Sequence, residues 1–190
     1  MNIELTLHEQ FVVKYLAGTR QNKPWNKISA ESQLETDLHA VGSEIAFCKR
    51  FLLYPDLDVD PRPYDVMLPS GITVDVKHTK FEDGRLLCER RKRNYPTDIY
   101  FLVTGTFPTY TTHGWATKEE LMQDFRLHDF GYGPHKICYG MDQDELHKEE
   151  TLLTIARNTN NLRAEVTPNL LDTSVLPSPM TESAISHVSD

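Results

Sequence analysis

Residues 62–80, RPYDVMLPSGITVDVKHTK, decide the fold. Two β-rich runs, Tyr64–Leu68 and Ile72–Thr79, flank Pro69-Ser70-Gly71. Proline and glycine within three residues are turn chemistry, so the spacing predicts a β-hairpin. Alternation along the second run places Asp75 and Lys77 on one face of the strand. Val74, Val76 and His78 then point to the other face.

Upstream of the hairpin the period is helical. Residues 6–18, TLHEQFVVKYLAG, read as a helix with Thr6 as its cap and Leu7, Phe11, Val12 and Tyr15 as its apolar stripe. Residues 19–28 read as a loop. Residues 29–53 read as one long helix, or two broken at Gly42, with Leu34, Leu38, Val41, Ile45 and Phe51 on one side. Downstream, Arg85–Cys88 is a short third run and residues 89–97 a basic connection. Asp98–Gly105, DIYFLVTG, is the most apolar run and reads as a central buried strand. Residues 111–116 follow as a strand. Thr117 with Glu120 forms a capping-box pattern that opens a helix. Residues 137–140 read as the last strand and 142–156 as the last helix.

Composition sets the outer limits. The chain has 190 residues, 39% hydrophobic and 25% charged, enough for one core. Residues 1–163 read as a single domain with an N-terminal helical extension. Residues 164–190 hold four acids, no lysine or arginine and three prolines, and read as a flexible or extended tail. No run reaches the roughly 18 apolar residues that span a bilayer, and the acidic start MNIELTLHEQ is unlike a signal peptide. No membrane association is expected. Cys48, Cys88 and Cys138 make no C-x-x-C pair and read as buried small hydrophobes in a reducing, cytoplasmic setting. The net charge of −8 argues against a passive coat for polyanions. Residues 77–93 go against that balance, with seven bases against three acids.

The acid-x-Lys triplet Asp75-Val76-Lys77 is weak on its own. With 28 acids and 10 lysines, about one and a half such triplets arise by chance. Its surroundings add weight. Asp65 lies across the turn, where cross-strand pairing can bring two carboxylates together. Such a pair repels unless a cation sits between them, and hard oxygen ligands suit Mg²⁺, with Mn²⁺ as a substitute. Glu44 sits among Val41, Ile45, Ala46 and Phe47, where an unpartnered carboxylate would be costly.

Glu44, then Pro63-Tyr64-Asp65, then Asp75-Val76-Lys77, in helix–strand–turn–strand order, resembles the PD-(D/E)xK nuclease superfamily. The likeness covers roughly residues 40–125 and departs from the motif in the tyrosine between Pro63 and Asp65. It implies an α/β, restriction-endonuclease-like core: a mixed sheet of about five strands flanked by helices. It implies a metal-dependent nuclease that hydrolyses DNA phosphodiester bonds, of a compact kind that suits a phage and the host cytoplasm. Asp65, Asp75, the Val76 carbonyl and Glu44 would hold the metal, and Lys77 would orient or activate water. Lys80, Arg85, Arg90, Arg91, Lys92 and Arg93 would contact the DNA backbone. Tyr64, Tyr95 and Trp115 offer stacking faces, although Trp115 also reads as a core aromatic. The small size allows a homodimer. The alternative is a non-catalytic nucleic-acid-binding or assembly protein on the same fold. His78, His113, His128 and His135 lack metal-ligand spacing and read as structural or surface groups.

Overall fold

The computed structural model describes residues 1–20, 30–58, 62–130 and 137–157. The tail expected at 164–190, most of the 19–28 loop and His135 lie outside the described residues. Helices α1 (Leu7–Arg20) and α2 (Ala30–Phe51) follow a short strand β1 (Asn2–Glu4). The hairpin is β2 (Val66–Met67) and β3 (Thr73–Thr79), antiparallel, with Val66 opposite Val74. Its turn closes through Gly71 N–H to the Leu68 carbonyl and Leu68 N–H to the Ile72 carbonyl, both at 2.8 Å. Gly71 has φ +87°, a conformation that favours glycine there.

Beyond the hairpin come β4 (Leu86–Glu89), a 3₁₀ helix over Arg90–Asn94, β5 (Ile99–Thr106) and β6 (Thr109–Thr117). Then follow α3 (Lys118–Leu121), β7 (Leu127–Asp129), β8 (Ile137–Met141), β9 (His147–Lys148) and α4 (Glu149–Arg157). The main sheet runs β1-β6-β5-β3-β2, with β9 also paired to β6. Only β3 and β5 are parallel among these pairs. A second, antiparallel sheet runs β4-β8-β7.

The fold is therefore mixed α/β in three layers, and β5 is the central strand its composition suggests, buried from Ile99 to Thr104. Its alternate side chains feed two cores. Phe101 and Val103 join Val74 and Val76 under Val41, Ile45, Phe47 and Phe51 of α2. Tyr100 and Leu102 meet Leu86, Cys88, Tyr139 and Met141 of the second sheet. Among the described residues no helix is long and apolar enough to cross a membrane.

Helix α2 keeps the first of the two readings offered for it, and three other expectations change in detail. Helix α2 runs unbroken through Gly42, because Gly42 is where the helix meets Tyr110: an added Cβ would fall 2.0 Å from the tyrosine oxygen. Of the stripe expected on α1, Leu7, Phe11 and Tyr15 face outward at 81%, 72% and 66% exposure, and Val12 alone packs against the core. The buried face is Val13, Leu16 and Ala17. Two ion pairs fix that rotation, Glu9 with Lys49 (2.8 Å) and Arg20 with Glu44 (3.1 Å), since positions 9, 13, 16 and 20 share one helical face. The capping box at Thr117–Glu120 forms, but the helix it opens lasts four residues. The segment 142–156 is a 3₁₀ turn, a short strand and α4 rather than one helix. Its Glu149 is buried, held by Arg50 at 3.0 and 3.1 Å and by the Thr112 hydroxyl at 2.5 Å.

Gly42→Ala should destabilise the protein by about 1–3 kcal/mol through overpacking against Tyr110. The buried Tyr110 hydroxyl has no hydrogen-bond partner among the described residues. Adding Tyr110→Phe to Gly42→Ala should therefore recover part of the loss. Urea unfolding of the single and double variants measures both effects.

Candidate active site

The candidate site lies at the β2 edge of the main sheet, where three elements deliver carboxylates. Glu44 comes from α2, Asp65 from the residue before β2, and Asp75 from β3. Strand β2 pairs through only two residues, so it ends before it can supply a partner for Val76 N–H. The Asp65 side chain takes over, and its Oδ2 accepts from Val76 N–H at 2.7 Å. Asp65 is also fixed through its backbone N–H, which donates to the Val74 carbonyl at 2.9 Å. Just upstream, the Pro63 carbonyl accepts from the buried Thr97 hydroxyl at 2.9 Å. Since N–H and C=O of one strand residue point the same way, the Val76 carbonyl also faces this open edge.

Three cations meet the acids. Arg20 donates to both oxygens of Glu44, at 3.2 and 3.1 Å. Lys77 bonds Asp75 Oδ1, and Lys92 donates to Asp75 Oδ2 at 2.7 Å. Burial pushes the Glu44 carboxyl above its ordinary value, aided by Asp75 and opposed by Arg20 and Lys77. Burial raises Asp65 further, and the charges of Glu44 and Asp75 add to it. Lys77 and the Val76 N–H only partly offset that rise.

The structure thus brings Glu44, Asp65, Asp75, Val76 and Lys77 to one corner. The basic run behaves differently. Lys92 turns into the site. Arg85 pairs with Asp142, Arg91 with Glu89, and Arg93 with Asp124 at 2.9 Å. Lys80 is exposed beside the Phe81 ring, and Arg90 is exposed on the 3₁₀ helix. Trp115 is buried, and its indole N–H donates to the Lys148 carbonyl and the Thr151 hydroxyl, so it offers no stacking face. Tyr64 lines an open cleft of about 470 Å³ beside Asp65, together with Tyr54, Arg62 and Met67. His78 stacks on His39 and bonds the Gly105 carbonyl at 2.8 Å, and His113 bonds the Thr104 hydroxyl. All three cysteines are buried, and burial pushes the Cys48 thiol up to about 12 and that of Cys88 up to about 11. Neither is a ready nucleophile at neutral pH.

The sequence reading missed Arg20 and expected Lys92 on the DNA backbone rather than among the acids. Arg20 had a visible signal, its position on the same face of α1 as Glu9. Lys92 was read as one more outward base within a run of four, and nothing local separates it from its neighbours.

The donor set is right in kind for a hard divalent cation, namely carboxylate oxygens and a strand carbonyl. Asp65, a half-buried acid whose charged form its neighbours disfavour, is a group that a cation would relieve. As placed, the oxygens of Asp75 and Glu44 face side-chain cations instead. Among the described residues no group of three or more His, Cys, Asp or Glu stands ready to hold a metal ion. No protein-family model, curated protein or solved structure matches the chain.

The raised Asp65 pKa has a definite sign for stability. The folded protein holds that proton more tightly than the unfolded chain. The resulting stabilisation is full below the ordinary carboxylate range and is lost as pH rises through the folded value. Asp65→Asn keeps an oxygen for Val76 N–H and removes the charge. In chelator at neutral pH it should raise Tm, by about 2–4 °C for each kcal/mol relieved in a chain of this size. It should also flatten the loss of stability between acid and neutral pH. A variant Tm below wild type at neutral pH would contradict this assignment.

Proposed function

We propose that the chain is a metal-dependent nuclease that hydrolyses DNA phosphodiester bonds, on a core of restriction-endonuclease-like type. One observation carries the reading: Glu44, Asp65, Asp75 and Lys77, spread over a helix and both arms of a hairpin, converge on one sheet edge. Coincidence accounts for a triplet on one strand. It accounts poorly for two further carboxylates brought to the same corner from separate elements, against the cost of burying them.

Asp65, Asp75, Glu44 and the Val76 carbonyl would hold Mg²⁺, or Mn²⁺ in its place. When bound, the metal supplies a Lewis acid that lowers the pKa of water and neutralises charge on the phosphate. Lys77, next to Asp75, orients the attacking water and stabilises charge as its proton leaves. Arg20 grips Glu44 at both oxygens and keeps it aimed at the corner. Arg90 and Arg91, exposed on the 3₁₀ helix, and Lys80 lie where a backbone can be gripped without sequence readout. The expected setting is cytoplasmic, and cutting both strands of a duplex would suit a homodimer.

The pairing of two of the three acids, Glu44 and Asp75, with side-chain cations favours a second reading, a non-catalytic nucleic-acid-binding protein. One experiment separates the two. Linear duplex, circular, single-stranded and branched DNA are incubated with protein in Mg²⁺, Mn²⁺ or chelator. Wild type should cut only with metal. Asp65→Ala, Asp75→Ala and Lys77→Ala should each lose at least roughly a hundredfold in rate while keeping the far-ultraviolet circular dichroism spectrum. Binding that survives chelation without cutting supports the second reading, and undiminished cutting by any of the three variants overturns the first.

A further inference from the structure

The nuclease reading assigns Lys92 to the DNA backbone, yet its ammonium sits inside the acid corner. Its ammonium holds one oxygen of Asp75 while Lys77 holds the other, so both oxygens of that carboxylate face a lysine. The Asp75 side chain is 3% exposed, those of Lys77 and Lys92 19% and 25%. The two lysines are anchored differently. Lys77 belongs to β3, where it lies opposite Leu102 of the central strand β5. Lys92 belongs to a five-residue 3₁₀ helix with no buried residue, between exposed Arg91 and Arg93. Its Nζ also lies 5.9 Å from the centroid of the exposed Tyr95 ring, a second seat for an ammonium on the outer side.

Charge balance gives the arrangement its meaning. Glu44 and Asp75 pair with Arg20, Lys77 and Lys92, and Asp65 beside them carries the third negative charge when it is ionised, so the fully ionised corner is neutral. A divalent cation added with every lysine in place leaves two positive charges in excess in a partly buried site, which is costly. Moving Lys92 away removes one of them. A phosphodiester, with its single negative charge, removes the other, and it is also the partner that a released lysine on a basic helix would take.

We propose that Lys92 is an exchangeable counter-ion that couples substrate to metal. It guards Asp75 in the free protein and moves to a backbone phosphate when DNA and a divalent cation bind together. The proposal rests on the nuclease reading and adds a regulation of its site. DNA and metal both favour the released lysine, so each tightens the other. Burial opposes the ammonium's charge, but Asp75 outweighs it and holds Lys92 above the ordinary lysine value, so a charged group is exchanged.

The test is calorimetric titration of Mg²⁺ into the full chain without DNA, for wild type, Lys92→Gln and Lys92→Arg. Lys92→Gln should bind Mg²⁺ roughly 5- to 150-fold tighter than wild type, the usual range for coupled sites. Lys92→Arg, which keeps the cation, should stay near wild type. A merely structural lysine would give the opposite sign, weaker metal binding on its loss. A second readout is the anisotropy of a labelled DNA oligonucleotide in Ca²⁺ and in chelator. Wild type should bind DNA more tightly with Ca²⁺, and Lys92→Gln should lose most of that difference. Equal or weaker Mg²⁺ binding by folded Lys92→Gln overturns the proposal and leaves the nuclease reading standing. If Lys92→Gln does not fold, independent binding of Ca²⁺ and DNA to wild type overturns it. No Mg²⁺ binding by any of the three proteins at millimolar concentration overturns the nuclease reading and this proposal together.

Discussion

Three carboxylates share one partly buried corner, and the fold around them is arranged to supply their counter-charges. Each cation comes from a different element: Arg20 from the end of α1, Lys77 from β3, and Lys92 from the connection after β4. The demand for those partners explains features that packing alone leaves open. Helix α1 buries its smaller residues, Val13, Leu16 and Ala17, and leaves Leu7, Phe11 and Tyr15 outside. An apolar count would rotate it the other way. Rotated so, Arg20 would leave Glu44 and Glu9 would leave Lys49. Losing the partner of a partly buried charge costs more than exposing a side chain, because the desolvated charge remains.

The shortness of β2 is the second constraint. A longer β2 would pair Val76 in the ordinary ladder and seal the sheet edge. Instead the Asp65 carboxylate accepts from Val76 N–H, so one side chain closes the ladder and marks its end. The chain entering Asp65 is held by the Thr97 hydroxyl on the Pro63 carbonyl, which ties it to the start of β5. A proline there has no N–H to lose, and it stiffens the approach. At the edge left open at Val76, a strand carbonyl and three acids lie together.

Much of this was legible from local pattern. The hairpin followed from period-two alternation around a Pro-Ser-Gly turn, β5 from an unbroken apolar run, and the cap of α3 from Thr117 and Glu120. Glu44 stood out as an acid inside an apolar stripe. What escaped depended on partners distant in sequence. Glu149 sits in an acidic run that looks solvated, yet Arg50 and Thr112, from α2 and β6, draw it inside. Trp115 loses its face to the β9–α4 junction for the same reason. Neither shift has a local signal, because composition reports what a residue costs to bury and not what waits to pay it back.

Lys92 is the clearest such case, and topology accounts for it. Strands β3 and β5 are parallel neighbours, with Asp75 opposite Tyr100. A parallel connection must carry the chain back along the whole strand before the next one starts. Whatever residues lie just before β5 are therefore returned to the beginning of β3, where Asp75 is. The connection spends its length on β4, which packs against Tyr100 and Leu102, and then on the 3₁₀ helix Arg90–Asn94. Of that helix's four bases, the one with its ammonium on the acid is Lys92, while Arg91 and Arg93 find acids elsewhere. A run of like charges is thus divided by the crossover into one inward lysine and outward arginines. The same crossover ties a buried carboxylate to an exposed basic surface, the connection through which events at one can be felt at the other.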